Sequence, residues 1–471
     1  MTLWLHWLAA AQLLRPACSR SRTFLWTLVV LMALSIREDL AGVSSFIRSC
    51  GLRGACYPHL LHLFHSQALP LERLMVVWTG VALRLFRPWL VRVGGRLVLV
   101  ADGIKRPKEG RKMPAVKLLH QDSQSNSKAE YIMGHSCQAI ALLVEGLGTC
   151  FAVPLACRIH EGLVTSNRCK RSVLDRLMEL LAMLQLSEPV YLVADAYYAS
   201  RKIILPLLQR GDHLVTRFKN NASAHWPATP DVRKPRKGRP RLYGKKFKLR
   251  TLFDHLELFV QAASPAYGEQ NVTIRYRAVQ VLWKPVGRLV QVVAVDHPRR
   301  GRILLLCTDL DLPPLEVIRL YSRRFKIEVS FKQAVHKVGA FAYHFWMRDM
   351  ERLHHGDGNQ YLHRRSRIYR EQVMRKLAAY ERHILLGLIA QGLLQYLALS
   401  KPVEVWQHFG SWLRTMKTEA TPSEAVVASA LRHSLRDFLP NLPFTHFLKK
   451  FLADKLAPKI QAIFTDLADA A

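Results

Sequence analysis

Two apolar runs in this chain each lead into an aspartate, and this pattern constrains the fold more than any other feature. Arg96-Leu-Val-Leu-Val-Ala leads into Asp102, and Val190-Tyr-Leu-Val-Ala leads into Asp195. Each run has the length and composition of a buried β-strand. A carboxylate at the end of such a strand costs free energy unless a cation or hydrogen bonds satisfy it. We therefore expect both aspartates to face a cation.

A third acid, Glu328, lies on a helix that we predict from Pro313 to about Val338. Carboxylates from rigid elements are the ligands that Mg²⁺ prefers, and pairs of such ions act on phosphodiesters. Taken alone, each acid is more simply read as an ordinary strand-end or surface carboxylate. In combination, Asp102, Asp195 and Glu328 predict a site for two Mg²⁺ or Mn²⁺ ions. The predicted helix carries a stripe of residues at three- and four-residue spacing: Tyr321, Arg324, Glu328, Lys332 and His336.

The order of the predicted elements indicates the fold class. Between residues 96 and 218 the pattern gives three strands, a helix, a strand, a helix and a strand. This order is typical of an α/β fold with a ribonuclease-H-like mixed sheet and helices on both faces. The regions that we expect are a helical, DNA-binding domain at 1–92, the first catalytic part at 93–218, a β-rich basic insertion at 219–300, the rest of the catalytic domain at 301–350, and a helical region at 351–471.

The charge balance points to a polyanionic partner. The 471 residues include 69 Lys and Arg against 35 Asp and Glu, a formal net charge of +34. Such a surplus destabilises a compact chain through self-repulsion, which a bound nucleic acid relieves. With three acids placed as above, DNA is the partner that we expect.

A strongly basic segment lies within the predicted insertion. From Arg233 to Arg250, ten of eighteen residues are basic and none is acidic. Its Gly-Arg-Pro resembles an AT-hook core, which binds a narrow minor groove, and a solvated basic linker is the alternative. The residues that we expect to contact DNA are Lys105, Arg106, Lys234, Arg236, Lys237, Arg239, Arg241, Lys245, Lys246 and Arg323, with Arg364, Arg365, Arg367 and Arg370 as further cations.

The cysteines and the apolar N-terminal run carry less information. The eight cysteines include no Cys-x-x-Cys pair, so we expect no zinc site and mostly buried, reduced thiols in a cytoplasmic protein. The apolar run over residues 24–36 falls short of the roughly 20 residues that cross a bilayer. We therefore predict a buried helix there and no membrane partner, and a membrane-associated basic protein is the alternative that this run leaves open.

Three residues of the 313–338 helix carry a resemblance to a known family. Tyr321, Arg324 and Glu328 have the spacing Tyr-x2-Arg-x3-Glu. This spacing resembles the signature of the DDE transposases of bacterial insertion sequences, in a branch where a lysine follows the glutamate after six residues. Here Val335 occupies the position of that lysine, and Lys332, on the same stripe as Glu328, is the substitute that we favour over Lys337.

The resemblance implies a function and a set of partners. It implies that Asp102, Asp195 and Glu328 are catalytic and bind the metal ions, and that Tyr321, Arg324 and Lys332 support them. It implies cut-and-paste DNA transposition, in which a homodimer cleaves transposon ends and joins them to target DNA, in a bacterial cytoplasm and associated with the nucleoid. A catalytically silent descendant that still binds DNA is the alternative.

Overall fold

Helices occupy both ends of the chain and flank the strands. The structure is a computed structural model that describes residues 3–121, 129–228, 241–410, 418–438 and 446–461. The helices are α1 (Leu3–Gln12), α2 (Ser21–Ile36), α3 (Ser44–Ser49), α4 (Tyr57–His65), α5 (Leu71–Leu85), α6 (Val173–Met183), α7 (Arg201–Gln209), α8 (Pro314–Ser322), α9 (Lys326–Gln333), α10 (Arg367–Ser400), α11 (Pro402–His408), α12 (Glu424–Phe438) and α13 (Phe447–Leu452).

The described strands form one large mixed sheet and one small two-stranded pair. They are β1 (Arg92–Val93), β2 (Arg96–Pro107), β3 (Lys117–His120), β4 (Tyr131–Gly146), β5 (Thr149–Ile159), β6 (Leu163–Val164), β7 (Val190–Val193), β8 (His213–Arg217), β9 (Ser223–Pro227), β10 (Tyr243–Lys248), β11 (Val260–Ala263), β12 (Thr273–Trp283), β13 (Arg288–His297), β14 (Gly301–Cys307) and β15 (Gln360–Tyr361).

The five central strands have a ribonuclease-H-like topology. Their order across the sheet is β5-β4-β2-β7-β8. β2, β4 and β5 are antiparallel neighbours, whereas β7 and β8 run parallel to β2. The parallel pairs require crossover connections, which α6 and α7 provide. The predicted α/β fold with a ribonuclease-H-like mixed sheet is therefore confirmed.

Both faces of this sheet are buried, as the alternation along β2 shows. Leu97, Leu99 and Ala101 belong to the hydrophobic core that also contains α10, α6 and α7. Val98 and Val100 point the other way, into a core shared with α8. Successive side chains of a strand alternate between faces, so a continuous apolar run predicts burial on both.

Residues 219–300, predicted to be a β-rich insertion, supply β9 to β13. These strands extend the central sheet beyond β8, since β14 pairs with β8 and β13 pairs with β14. Not all of this insertion is β-structure, because β10 ends at Lys248. Leu249–Asp254 is a 3₁₀ helix, in which Leu249 and Leu252, three residues apart, lie on one buried face.

α10 is the central helix of the helical layer. It contacts α1, α2, α4 and α5 from the N-terminal region, β5 from the sheet, and α12. By length and composition it could cross a membrane, but 89% of its most apolar stretch is buried inside the protein. The predicted buried helix at 24–36 is confirmed as part of α2. The N-terminal helices thus share a hydrophobic core with α10 and the sheet.

The first predicted strand and the predicted long helix both need correction. β2 does not stop before Asp102 but continues to Pro107, because β4 pairs with it as far as Gly134. The helix predicted over 313–338 is interrupted at residues 323–325, between α8 and α9. It ends in a π-helical turn at Ala334–Val338, followed by Gly339 in the left-handed conformation.

Candidate active site

The register of the sheet places Asp102 and Asp195 at matching positions. β2 and β7 are parallel, and Val100 pairs with Val193. Asp102 and Asp195 each follow that pair by two residues, so both lie at the same level of the sheet. Neighbouring strands are about 4.8 Å apart. The two side chains therefore lie at the same end of neighbouring strands, and the charge of Asp195 contributes to the raised pKa of Asp102.

Hydrogen bonds fix the backbone around Asp195. Its Oδ1 accepts a hydrogen bond from the Tyr197 N–H at 2.8 Å, and the side chain thereby caps a short 3₁₀ helix. Thr216, on the neighbouring β8, donates its hydroxyl to the Asp195 carbonyl at 2.5 Å. Asp195 is thus held in place by local structure rather than by an ion pair with any described residue.

Arg324 joins Asp102 to Glu328. Its Nη1 donates to Asp102 Oδ2 at 3.1 Å, and its Nη2 donates to Glu328 Oε1 at 2.6 Å. The side chains of Asp102 and Arg324 are 19% and 20% exposed, whereas that of Glu328 is 55% exposed. Glu328 is therefore the member of this set that has most freedom to reorient.

Two neighbouring arginines lie in the break between α8 and α9. Arg324 reaches Asp102, while Arg323 donates to both carboxylate oxygens of Glu145 at 2.7 Å. The turn at 323–325 allows these side chains to reach different strands of the sheet. The residue that we predicted to contact DNA, Arg323, is instead buried and held by Glu145. That prediction is corrected.

The local electrostatics show a concentration of negative charge. Burial raises the pKa of Asp102 to about 6, and the charges of Asp195 and Glu328 add to the rise against the opposing effect of Arg324. Burial also raises the pKa of Tyr198 well above its ordinary value, and Asp102 and Asp195 contribute again. The three acids therefore act on a shared region, and the positive charge of Arg324 offsets them only in part.

The residues predicted to support the three acids differ in how close they lie to the site. Tyr321 lies beside Arg324, and burial raises the pKa of its hydroxyl, with Arg324, Arg217 and Asp195 as the nearest charges. Lys332 is exposed on α9, one turn after Glu328. Val335, at the position of the family lysine, is buried. Tyr321 and Arg324 thus belong to the site, while Lys332 borders it.

Two residues next to the acids were not predicted from the sequence. Gln138 on β4 accepts a hydrogen bond from the Tyr198 hydroxyl at 2.7 Å. Arg217 ends β8 and acts electrostatically on Tyr321. Gln138 is a lone amide within the apolar strand 132–144, and that signal could have identified it.

The predicted DNA contacts fall into three groups. Lys105 donates to the His120 carbonyl at 2.6 Å, and Arg106 is half-buried. Arg241 donates to the Tyr243 carbonyl at 2.7 Å, and its neighbours on β10 are exposed. The exposed neighbours are Lys245 and Lys246. Four predicted contacts lie outside the described residues: Lys234, Arg236, Lys237 and Arg239.

The carboxylates suit a hard divalent cation in their chemistry but are not assembled around one. Oxygen donors with surplus negative charge are what Mg²⁺ requires. Within the described ranges, no three His, Cys, Asp or Glu side chains lie close enough together to hold a metal ion. The guanidinium of Arg324 lies between two of the acids and binds both Asp102 and Glu328. Seven of the eight cysteines are buried, as predicted.

Comparisons with known proteins found a matching family model and a similar solved structure. No curated protein matches the chain by sequence. A solved structure described as a piggyBac transposase synaptic complex with hairpin DNA is similar to it at a TM-score of 0.38 and 10% identity, over 95% of this chain and 76% of that chain. Residues 53–284 match the family model described as DDE superfamily endonuclease, a region that contains Asp102 and Asp195 and ends before Glu328. The family model therefore covers just under half of the chain and two of the three candidate acids.

Proposed function

We propose that this chain is a DNA transposase of the bacterial insertion-sequence type. It would cleave the ends of a mobile element and join them to target DNA in a cut-and-paste reaction. One observation carries the proposal: Asp102 and Asp195 occupy matching positions on parallel strands, and Arg324 links Asp102 to Glu328. The match of residues 53–284 to the DDE superfamily endonuclease supports the same reading.

In this proposal the acids bind the metal ions. Asp102 on β2 and Asp195, two residues after the end of β7, would hold the ions, and the exposed Glu328 would join them once released from Arg324. Two Mg²⁺ or Mn²⁺ ions, when bound, would supply activation of the attacking oxygen and stabilisation of the leaving oxygen at phosphorus.

Arg324 has two roles in this scheme. In the structure it neutralises part of the charge of Asp102 and Glu328. Once Glu328 has turned away, its guanidinium would be free to donate to a phosphate, for which its planar fork is well suited. Tyr321 and the Asp195 backbone, which Thr216 holds, would keep the surrounding geometry fixed.

The partners follow from the same reaction. Transposon ends and target DNA are the substrates, and pairing of two ends would require a homodimer. A bacterial cytoplasm and association with the nucleoid remain predictions, as does the DNA-binding role of residues 1–92.

A second candidate function is a catalytically silent DNA-binding protein. Two observations favour it: Val335 replaces the lysine of the signature, and Arg324 occupies both Asp102 and Glu328. Such a protein would retain the basic surface and its affinity for DNA but would cut no strand.

Strand cleavage separates the two candidates. The substrate is DNA that flanks this reading frame, incubated with the full-length protein in Mg²⁺, in Mn²⁺ and in a chelator. We expect metal-dependent nicking by the wild-type chain and none by Asp195→Asn, with DNA binding unchanged. Tight binding without nicking in either metal would favour the silent protein, and the absence of both would reject the two candidates together.

A further inference from the structure

Two clefts lie next to each other beside the end of β2. The first, of about 450 Å³, is lined by residues 107–111 and 353–355 among others. The second, also of about 450 Å³, is lined mainly by residues 350–353 and 357–361 together with Arg364, Arg365 and Tyr369. Leu353 lines both, so the two clefts are neighbours, and we call the pair the Leu353 groove.

The wall of the groove is held by main-chain hydrogen bonds. Leu353 N–H donates to the Arg111 carbonyl at 2.7 Å, and Leu118 N–H donates to the Asp357 carbonyl at 2.7 Å. Gln360 N–H donates to the Gly162 carbonyl at 2.8 Å, next to the β15–β6 pair. The segment 347–361, which contains little regular structure, is therefore fixed against the protein. Irregular segments that are held in this way commonly form binding surfaces.

Positive charge dominates the groove. Arg111, Arg352 and Arg364 are exposed, and none of them forms an ion pair within the described part of the chain. In the second cleft Glu351 pairs with Arg365, whereas Asp357 accepts only the neutral His354 N–H at 2.7 Å and keeps its negative charge. Glu109 adds one negative charge to the first cleft. The available cations thus outnumber the available acids.

An aromatic side chain lies among these cations. The Arg364 guanidinium lies over the Tyr361 ring at 4.8 Å from its centroid, yet Tyr361 remains 47% exposed. A cation and an exposed ring are the combination that binds an unpaired nucleobase, since every base offers a face for stacking.

We propose that the Leu353 groove binds a DNA strand that extends from the candidate active site. The cations would contact its phosphates, and Tyr361 would stack on an unpaired base. Pro107, at the end of β2, lies five residues beyond Asp102 on the same strand, which is about 16 Å at 3.3 Å per residue. That distance is about half a turn of B-DNA. The inference rests on the proposed function, because it supplies the path of the DNA to the acids.

Binding measurements in a chelator test the groove without strand cleavage. The variant is the full-length triple Arg111→Ala, Arg352→Ala, Arg364→Ala. A matched control replaces three exposed cations that lie outside the groove and outside residues 1–92 and 219–300, Arg168, Lys450 and Lys459, with alanine and so lowers the net charge equally. Labelled single strands and duplexes are titrated at several salt concentrations, and circular dichroism verifies the fold of each protein.

We expect the groove triple to weaken single-strand binding at least tenfold more than the control does. Loss of three phosphate contacts would reduce the slope of log K against log salt by about 2 for a single strand. Tyr361→Ala would weaken single-strand binding about tenfold, more than duplex binding, and Tyr361→Phe would restore it.

Two results would overturn the inference. Equal losses in the groove triple and the control triple would show a general charge effect. Wild-type binding by the folded groove triple would show that DNA lies elsewhere, and metal-dependent nicking by that same variant would leave the proposed function intact. Absence of any DNA binding by the wild-type chain would reject both proposals.

Discussion

The aspartates at the two ends of the central sheet differ in the charges and hydrogen-bond donors around them. Asp102 and Asp195 lie at one end, where Val100 and Val193 precede them in register. Asp212 and Asp309 lie at the other end, before β8 and after β14. The first pair concentrates negative charge in one place, whereas the second pair is satisfied by neighbouring donors.

The donors at the second end are specific. Asp212 is buried, and it accepts the Val190 N–H at 2.9 Å and Arg210 Nε at 2.8 Å. Asp309 accepts the Tyr191 hydroxyl at 2.5 Å. Burial by itself would raise the pKa of Asp309, but the Tyr191 hydroxyl and the Asp311 N–H lower it overall.

This contrast separates carboxylates that stabilise the fold from carboxylates whose negative charge is poorly compensated. A carboxylate with a full set of donors stabilises the fold and gains nothing from a cation. Asp102 has a pKa raised to about 6 despite its contact with Arg324, so its ionised form remains poorly compensated. Sites that bind metals or carry out catalysis are where such uncompensated groups are found.

The largest expected effect is on strand cleavage. Asp102→Asn keeps the shape of the side chain but removes a charge that the proposed metal site requires. We expect nicking to fall by at least about 100-fold, as when a pre-organised electrostatic contact is lost. Initial rates on supercoiled DNA in Mg²⁺ measure this.

Asp309→Asn is the matched control for that loss. It removes one carboxylate from the same sheet, and we expect nicking within a few-fold of the wild-type rate. A similar loss in both variants would mean that the sheet is sensitive everywhere, and the distinction between its ends would fail.

The central sheet could be predicted well from the sequence because its signals are local. The apolar runs before Asp102 and Asp195 are buried on both faces. Burial on both faces requires an unbroken run of apolar residues, which is visible in the sequence. The end of β2 was not predictable, because residues 103–107 are mostly polar or partly exposed and only pairing with β4 makes them a strand.

Long-range contacts explain the other differences. The helical spacing of Tyr321, Arg324 and Glu328 continues through the turn at 323–325, so periodicity alone could not reveal a break. The break depends on Arg323 meeting Glu145, which lies 178 positions earlier in the chain. A basic residue next to a catalytic signature resembles a DNA contact until its distant partner is known.

The second prediction concerns the dependence of stability on pH. The pKa of Asp102 is raised in the folded state, so folding favours its protonated form. Its stabilising effect is therefore complete below the ordinary pKa of 3.8 and is lost as the pH rises through about 6. The difference of about 2 between these pKa values corresponds to roughly 3 kcal/mol. We therefore expect Asp102→Asn to gain stability relative to the wild type between pH 4 and pH 7, as urea unfolding would show.

The stability of Asp309→Asn relative to the wild type should change with pH in the opposite direction. Because the pKa of Asp309 is lowered, the stability that it supplies is present at neutral pH and is lost as the pH falls through that pKa. The variant should therefore be less stable than the wild type at pH 7 and should approach it in acid. If the stability of the two variants depended on pH in the same way, the proposed electrostatic difference between the two ends of the sheet would be wrong.

The third prediction concerns the structural role of Asp212. Asp212→Ala leaves the buried Val190 N–H without its acceptor and Arg210 without its partner. The loss should be about 1–3 kcal/mol in the free energy of unfolding, the cost of an unsatisfied buried group. Faster hydrogen exchange at Val190 would locate the effect at this end, whereas unchanged exchange and stability would contradict the structural role.

The smallest expected effect concerns two lysines near the candidate site. Lys332 follows Glu328 by one helical turn, while Lys337 lies in the π-helical turn beyond, and neither forms an ion pair with a described residue. If the uncompensated end of the sheet faces DNA, Lys332→Ala should weaken duplex binding a few-fold and reduce the salt slope by about 0.9, the contribution of one phosphate contact. Lys337→Ala, equal in charge, should change both less. Equal effects would mean that a cation next to Glu328 has no special access to DNA. The prediction that Lys332 substitutes for the lysine of the signature would then be wrong.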